Sequence, residues 1–246
     1  YKVMPIGVVA PKGIEDVQRV VRLCADNGIA VIARGGASGL VGQAVGFGII
    51  LDFTKHMNHV VKISEETSSV TVEAGCILND VDNLLRPMGK TYPIDPQSAK
   101  ICTIGGTIAT NAAGSHGLRY GSTKNHIKNL TVVLSNGDAA VLNPNEHKNR
   151  LTPEAQSRFL SAKNILDRNH DIIKNHAPAV EKYSSGYNVF ESLHDSNFDA
   201  TRLICGSEGT LAIVTEATMN VCAVPKAIIA AVAYFNSYND TAEASP

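Results

Sequence analysis

The residues best suited to chemistry are Ala33-Arg34-Gly35-Gly36-Ala37-Ser38-Gly39-Leu40-Val41-Gly42-Gln43, which place four glycines within eight positions. Glycine lets a backbone take positive φ and approach a ligand with no Cβ in the way. Successive amide N–H groups then converge on an anion as in a nest, an arrangement suited to a pyrophosphate. Taken alone, the stretch fits a flexible surface loop equally well. It is neither Gly-x-Gly-x-x-Gly opening a helix nor a P-loop, because no Gly-Lys-Ser/Thr closes it.

Three further segments join it. Pro93-Ile94-Asp95-Pro96-Gln97-Ser98 is a proline-stiffened turn. The run from Cys102 to Gly117 packs Gly, Ala, Ser and Thr so densely that its backbone must approach something closely. The third is Gly206-Ser207-Glu208-Gly209-Thr210-Leu211-Ala212-Ile213-Val214-Thr215-Glu216-Ala217. Together they suit a large, flat ligand with a polar tail. Single residues carry less. His56 and His59 have no carboxylate or third ligand beside them, so no metal site is expected. His116 fits proton transfer or backbone orientation; Arg119 fits an anion or a surface acid. No Gly-x-Ser-x-Gly elbow is present, which argues against a serine hydrolase.

These segments need elements to hold them. Residues 8–11 read as a strand, and residues 12–28 as a helix with Ile14, Val17, Val20, Val21 and Cys24 on one face and Gly28 as its cap. A strand over 30–33 follows and leads into the glycine loop. Residues 59–63 and 69–74 predict a hairpin, 77–85 a helix, and 130–134 with 139–142 a second hairpin around a primed Asn136-Gly137 turn. Residues 152–176 predict one long amphipathic helix. Residues 203–205, 211–221 and 227–235 read as strands, with a helix start at 236–240. Irregular alternation favours an α+β fold over a doubly wound sheet.

The chain has 246 residues and a net charge of -1. No basic block points to nucleic acid or an anionic membrane, and no apolar run is long enough to span a bilayer. Five scattered cysteines without Cys-x-x-Cys predict reduced, buried thiols and a cytoplasmic setting. A start at Tyr1 reads as a fragment.

The order of four motifs, Arg34-Gly35-Gly36, Thr103-Ile104-Gly105-Gly106, Arg119-Tyr120-Gly121 and Gly206-Ser207-Glu208-Gly209-Thr210-Leu211, resembles the FAD domain of p-cresol methylhydroxylase/vanillyl-alcohol oxidase-type flavoproteins. It is most similar to the D-lactate, glycolate and D-2-hydroxyglutarate dehydrogenase branch. The resemblance implies a PCMH-type FAD-binding fold over residues 1–225, with two α+β subdomains at about 1–58 and 59–225. It implies that residues 226–246 begin a substrate (cap) domain that is cut short, taking with it the catalytic base, the carboxylate-binding arginines and any metal-binding histidine cluster. Ala33, Arg34, Gly35, Gly36, Ala37, Ser38, Gly39 and Leu40, with Gln43, would wrap the FAD pyrophosphate. Asp95, Pro96 and Ser98 would line the flavin or its ribityl chain. Ile104, Gly105, Gly106, Thr110, Asn111, Gly114 and Ser115 would run beneath the ring and along the phosphates. Glu208, Gly209 and Ile213 would hold the adenosine half. For Ile104 and Ile213, core packing competes with ligand contact. Val at either Gly105 or Gly106 is expected to intrude on the ring. Ala37 and Ser38 stand where some relatives carry a flavin-linking histidine, so the FAD is expected to be non-covalent. The implied reaction is hydride transfer from a 2-hydroxy acid to flavin N5. Electrons would pass on to a quinone, a cytochrome, an electron-transfer flavoprotein or an iron–sulfur module, and the fragment alone would be inactive. The alternatives are a non-catalytic FAD-binding subunit and an NADPH-dependent flavin reductase of the same fold.

Overall fold

The computed structural model describes residues 2–180, 183–194 and 197–244. Strand β1 (Gly7–Val9) leads into α1 (Ile14–Asp26), which returns to β2 (Val31–Arg34); β3 (Ile49–Asp52) inserts between the two strands and runs parallel to both. Helix α1 forms because Val17, Val21 and Cys24 recur on one buried face. Glu15 and Asp16 occupy its first turn, where the helix dipole favours them.

The next elements are β4 (Val60–Ser64), β5 (Ser69–Glu73), α2 (Leu78–Leu85), β6 (Lys90–Thr91), α3 (Ile104–Ala109), α4 (Gly117–Tyr120), β7 (Ile127–Val133) and β8 (Ala139–Leu142). They are followed by α5 (Pro153–Arg168), α6 (His170–Asn175), β9 (Leu193–His194), β10 (Asn197–Phe198), α7 (Ala200–Ile204), β11 (Ile213–Asn220), β12 (Cys222–Ala223) and α8 (Tyr238–Glu243). A five-stranded antiparallel sheet has the order β4-β5-β11-β7-β8. Along β11 burial alternates residue by residue, because one face carries Ala217 and Met219 into the main core with Val72 and Leu130. A second, smaller core joins the two sheets. Val17 and Val21 of α1 and Leu51 of β3 pack with Ala74, Val133 and Ile213. The α+β expectation therefore holds.

Four local readings are corrected. The helix expected over 152–176 breaks at Asn169, whose side-chain amide donates to the Ile165 carbonyl at 2.8 Å and competes with the helical ladder. Residues 203–204, read within a strand, end α7 instead, because Asp199 caps the N–H groups of Thr201 and Arg202. So short an apolar run carries no decisive period. Residues 227–235 form no strand: Ile228, Ile229, Val232 and Tyr234 are exposed, and no described strand pairs with them. The second hairpin forms, but only Gly137 of its turn has positive φ, whereas a primed turn of the expected type needs two such residues.

Gly137 also clasps the two sheets. Its carbonyl accepts from Gln18 Nε2 at 2.8 Å and from an Arg22 guanidinium nitrogen at 3.0 Å, both on α1. A Cβ there would lie 2.4 Å from Arg22 Cγ, at φ +79°. Gly137→Ala is therefore expected to cost at least about 1 kcal/mol, read as a lowered urea midpoint at unchanged slope.

Candidate functional site

A cavity of about 290 Å3 opens where the carboxyl end of β2 meets α3 and the loop before β11. The glycines after β2 let the loop lie against the segment preceding α3. A Cβ on Gly35 would fall 2.0 Å from Thr103 Oγ1, and one on Gly36 would fall 1.8 Å from the Ile101 carbonyl oxygen. Bare backbone at these two positions is thus demanded by the protein's own packing, which the sequence reading had assigned to ligand approach. Ala37 sits in the left-handed region at φ +51°. No backbone carbonyl among the described residues accepts from the amide N–H groups of residues 35–40. Such free donors suit an anion.

Helix α3 works differently. Its first N–H groups are already used: Ile104 donates to the Cys76 carbonyl at 2.8 Å, Gly105 to the Ala74 carbonyl at 2.8 Å, and Gly106 to Thr103 Oγ1 at 3.2 Å. A Cβ on Gly105 would lie 2.8 Å from Ala74 Cβ, whereas one on Gly106 meets only Thr103 Oγ1, at 3.3 Å. Gly105 therefore faces the sheet and Gly106 the open space. The carbonyls at the end of α3 fix the third segment, with Ile108 accepting from Gly206 N–H and Ala109 from Glu208 N–H, both at 2.9 Å. Gly206, Glu208 and Gly209 all have positive φ. Gln43 completes the wall with a buried Oε1 that has no hydrogen-bond partner among the described residues. Buried acceptors are rarely left so.

Of the residues expected at the site, all line the cavity except Asp95, Ile104, Asn111, Gly114 and Ser115. Ile104 is fully buried in the main core, and Ile213 is shared between the second core and the wall. Asn111 Oδ1 accepts from the Lys124 N–H at 3.1 Å and the Cys205 thiol at 3.6 Å, so its side chain ties α3 to α7. Asp95, Gly114 and Ser115 form a clasp outside the lining. Ser115 Oγ donates to Asp95 Oδ2 at 2.7 Å, His116 Nδ1 lies 2.5 Å from the same oxygen, and Gly114 leaves no room for a Cβ beside them.

Burial alone would raise the Asp95 pKa, but hydrogen bonds from Ser115 and His116 outweigh it and hold the carboxyl below its usual range. An aspartate depressed on folding stabilises above its unfolded value near 4 and loses that contribution as pH falls through the folded one. The stability gap between the wild type and Asp95→Asn should therefore shrink as pH drops from about 6 to about 3. Urea midpoints at each pH check this.

The wall also contains Phe53, Ala74, Thr103, Thr107, Ala112 and Ser207, which were not singled out. Thr103, Thr107, Ala112 and Ser207 lay inside the small-residue runs and were legible there. Phe53 and Ala74 follow strands β3 and β5 and carry no local signal. Cys102 is buried in the wall, where burial raises its pKa. Burial likewise pushes the thiols of Cys76 and Cys205 up to about 12. Among the described residues no cluster could hold a metal ion, and no helix is long and apolar enough to cross a membrane.

Free amide donors and close-packed glycines at the joint of two sheets give an α+β domain whose cavity suits a polyanionic, nucleotide-like cofactor. Residues 5–143, over half of the chain, match the FAD binding domain family, and the chain belongs to it. It is 32% identical over 236 residues to the D-2-hydroxyglutarate dehydrogenase of Pantoea ananatis (strain AJ13355), covering 92% of this chain and 23% of that protein. It is 34% identical over 228 residues to glycolate oxidase subunit GlcD of Bacillus subtilis (strain 168), covering 92% and 38%. With the D-lactate dehydrogenase of Anaerostipes hadrus it is 32% identical over 241 residues, covering 97% and 41%. The chain thus spans well under half the length of these relatives. A solved alkyldihydroxyacetonephosphate synthase superposes with a TM-score of 0.62 at 24% identity, over 89% of this chain and 34% of that one, a likeness of fold. The PCMH-type FAD-binding fold expected from the motifs is borne out.

Proposed function

We propose that this FAD-binding domain serves a flavin-dependent oxidoreductase acting on a 2-hydroxy acid. The observation that carries the reading is the cavity wall of unpaired N–H groups over residues 35–40. Bound there, FAD would supply two-electron oxidation of the substrate's C2 carbon. The loop from Ala33 to Leu40 holds the pyrophosphate with its amides. Pro96 and Ser98 border the ribityl side, and Gly106 and Thr110 flank the ring. Glu208, Gly209 and Ile213 take the adenosine half. Asp95, Ile104, Asn111, Gly114 and Ser115 act from behind this wall, holding it in place. Residues 1–225 form the cofactor domain, divided near residue 58, and residues 226–246 lead into a substrate-covering cap. A quinone, a cytochrome, an electron-transfer flavoprotein or an iron–sulfur module removes the electrons, in the cytoplasm.

The cofactor is held without a covalent bond. Ala37 and Ser38 have no flavin-linking side chain, and burial keeps Cys102 protonated. Acid precipitation should leave all the yellow colour in the supernatant; colour in the pellet overturns this point. For the reaction, anaerobic mixing of the FAD-loaded, full-length polypeptide with D-lactate, glycolate or D-2-hydroxyglutarate should bleach the flavin, and NADPH should not. Bleaching by NADPH alone identifies a reductase, and bleaching by none identifies a silent subunit.

A further inference from the structure

We infer that Glu191 is a positioning residue for the cofactor: from a strap, residues 183–193, that contributes nothing to the cavity wall, it holds Lys124 and Arg202 together and so sets the spacing of the wall at the adenosine end. The inference rests on the reading above that Glu208, Gly209 and Ile213 take that half of FAD.

That end of the wall is made of two pieces distant in the chain. One is the end of α3, where Ala109, Thr110 and Ala112 line the cavity; the other runs from Ile204 through Ser207 to Gly209. The strap closes behind the second piece. A Cβ on Gly206 would lie 3.3 Å from Asn111 Cβ and 3.4 Å from the Gly186 carbonyl oxygen, so this loop touches both Asn111 and the strap. Tyr187 OH and Thr210 Oγ1 stand 2.8 Å apart, and Thr210, unlike Gly209 before it, does not line the cavity.

Glu191 joins the two pieces with charge. Its Oε1 accepts from Lys124 Nζ at 3.0 Å and its Oε2 from the Arg202 guanidinium. Lys124 reaches the first piece, because its own N–H donates to Asn111 Oδ1 at 3.1 Å. Arg202 lies on α7 just before Ile204. The Lys124 side chain is only 6% exposed, and its other partner is the neutral Tyr183 carbonyl at 3.2 Å, so the ammonium depends on this carboxylate. Removing one member of a buried ion pair leaves the other charge uncompensated, and here two cations would face one another. Burial alone would raise the Glu191 pKa, but Lys124, with Arg202 and Asn188, outweighs it and holds the carboxyl below its usual range. Without the clamp the loop must be ordered anew each time cofactor binds, a cost read as lost affinity.

The test uses the full-length polypeptide from riboflavin-starved cells, titrated with FAD and, in competition, with ADP. Glu191→Gln should weaken both ligands by the same factor, roughly 10-fold, because both use the adenosine end. Glu191→Asp, which keeps the charge, should recover part of that loss. At saturating FAD the visible absorption bands of the flavin should match those of the wild type, since the ring side is untouched; a general loosening of the cavity would shift them. Tyr187→Phe removes one exposed hydroxyl, leaves the ion cluster whole, and should weaken both ligands by roughly 3-fold. Unchanged affinities in a folded Glu191→Gln, or in Tyr187→Phe where the former does not fold, overturn the positioning role alone, as does a shifted flavin spectrum. A wild type that binds FAD but lets no ADP compete overturns the assignment of the adenosine end, and the inference with it.

Discussion

Gly106→Val should lose FAD and keep its fold. The Cβ position at Gly106 meets only Thr103 Oγ1, at 3.3 Å, and otherwise points into the cavity. Valine there places two methyl groups where the proposed cofactor lies. Overpacking a fitted contact costs up to about 3 kcal/mol, so affinity should fall by about 100-fold. Melting of the apoprotein should shift little, since valine's better helix propensity offsets the tight 3.3 Å approach to Thr103 Oγ1. Gly105→Val should instead lower the melting temperature of the apoprotein. Its side chain drives into Ala74 at 2.8 Å and breaks the seam between α3 and the end of β5. Fluorescence titration with FAD and thermal melting, run on both variants, separate the two faces. A stable Gly105→Val without FAD, beside a Gly106→Val that binds normally, would reverse the assignment.

Gly36→Ala should release the phosphate-facing loop. The added carbon falls 1.8 Å from the Ile101 carbonyl oxygen, a backbone atom that cannot swing aside, and 3.4 Å from Cys102 Cα. The loop must lift, and its free amides lose their convergence. FAD affinity should drop by about 100-fold or more, the scale of a preorganised set of charge-assisted bonds. Neither core cluster contains residues 35–40, so the fold should survive with a modest loss of melting temperature. The buried Cys102 thiol gives a second readout, because an aromatic disulfide reagent should reach it faster once the loop lifts. Lys174→Ala, on exposed α6, should change neither measurement.

Much of this organisation was legible in the residues. Val17, Val21 and Cys24 announced α1 because one face of it must be buried, and the strand read over residues 211–221 announced β11. The glycine runs marked the cavity wall. Their physical meaning was only half legible: Gly35, Gly36 and Gly105 are small because Thr103, Ile101 and Ala74 press against them, and those contacts join residues far apart in the chain. Phe53 and Ala74 entered the wall for the same non-local reason. Residues 203–204 and 227–235 were misread because apolar runs of that kind suit a strand until capping or pairing decides. Asp199 supplies the cap to α7, and no described strand supplies a partner to 227–235. The pairing of Asp95 with Ser115 and His116 was likewise invisible, since twenty residues separate the carboxylate from Ser115.

The small core that unites the two sheets counts Ala74 and Ile213 among its members, and both also border the cavity. Whatever fills that space therefore buttresses the joint, and mass action makes heat tolerance rise with the logarithm of free cofactor above its dissociation constant. A cell short of riboflavin would hold this domain in its weaker, more protease-prone form.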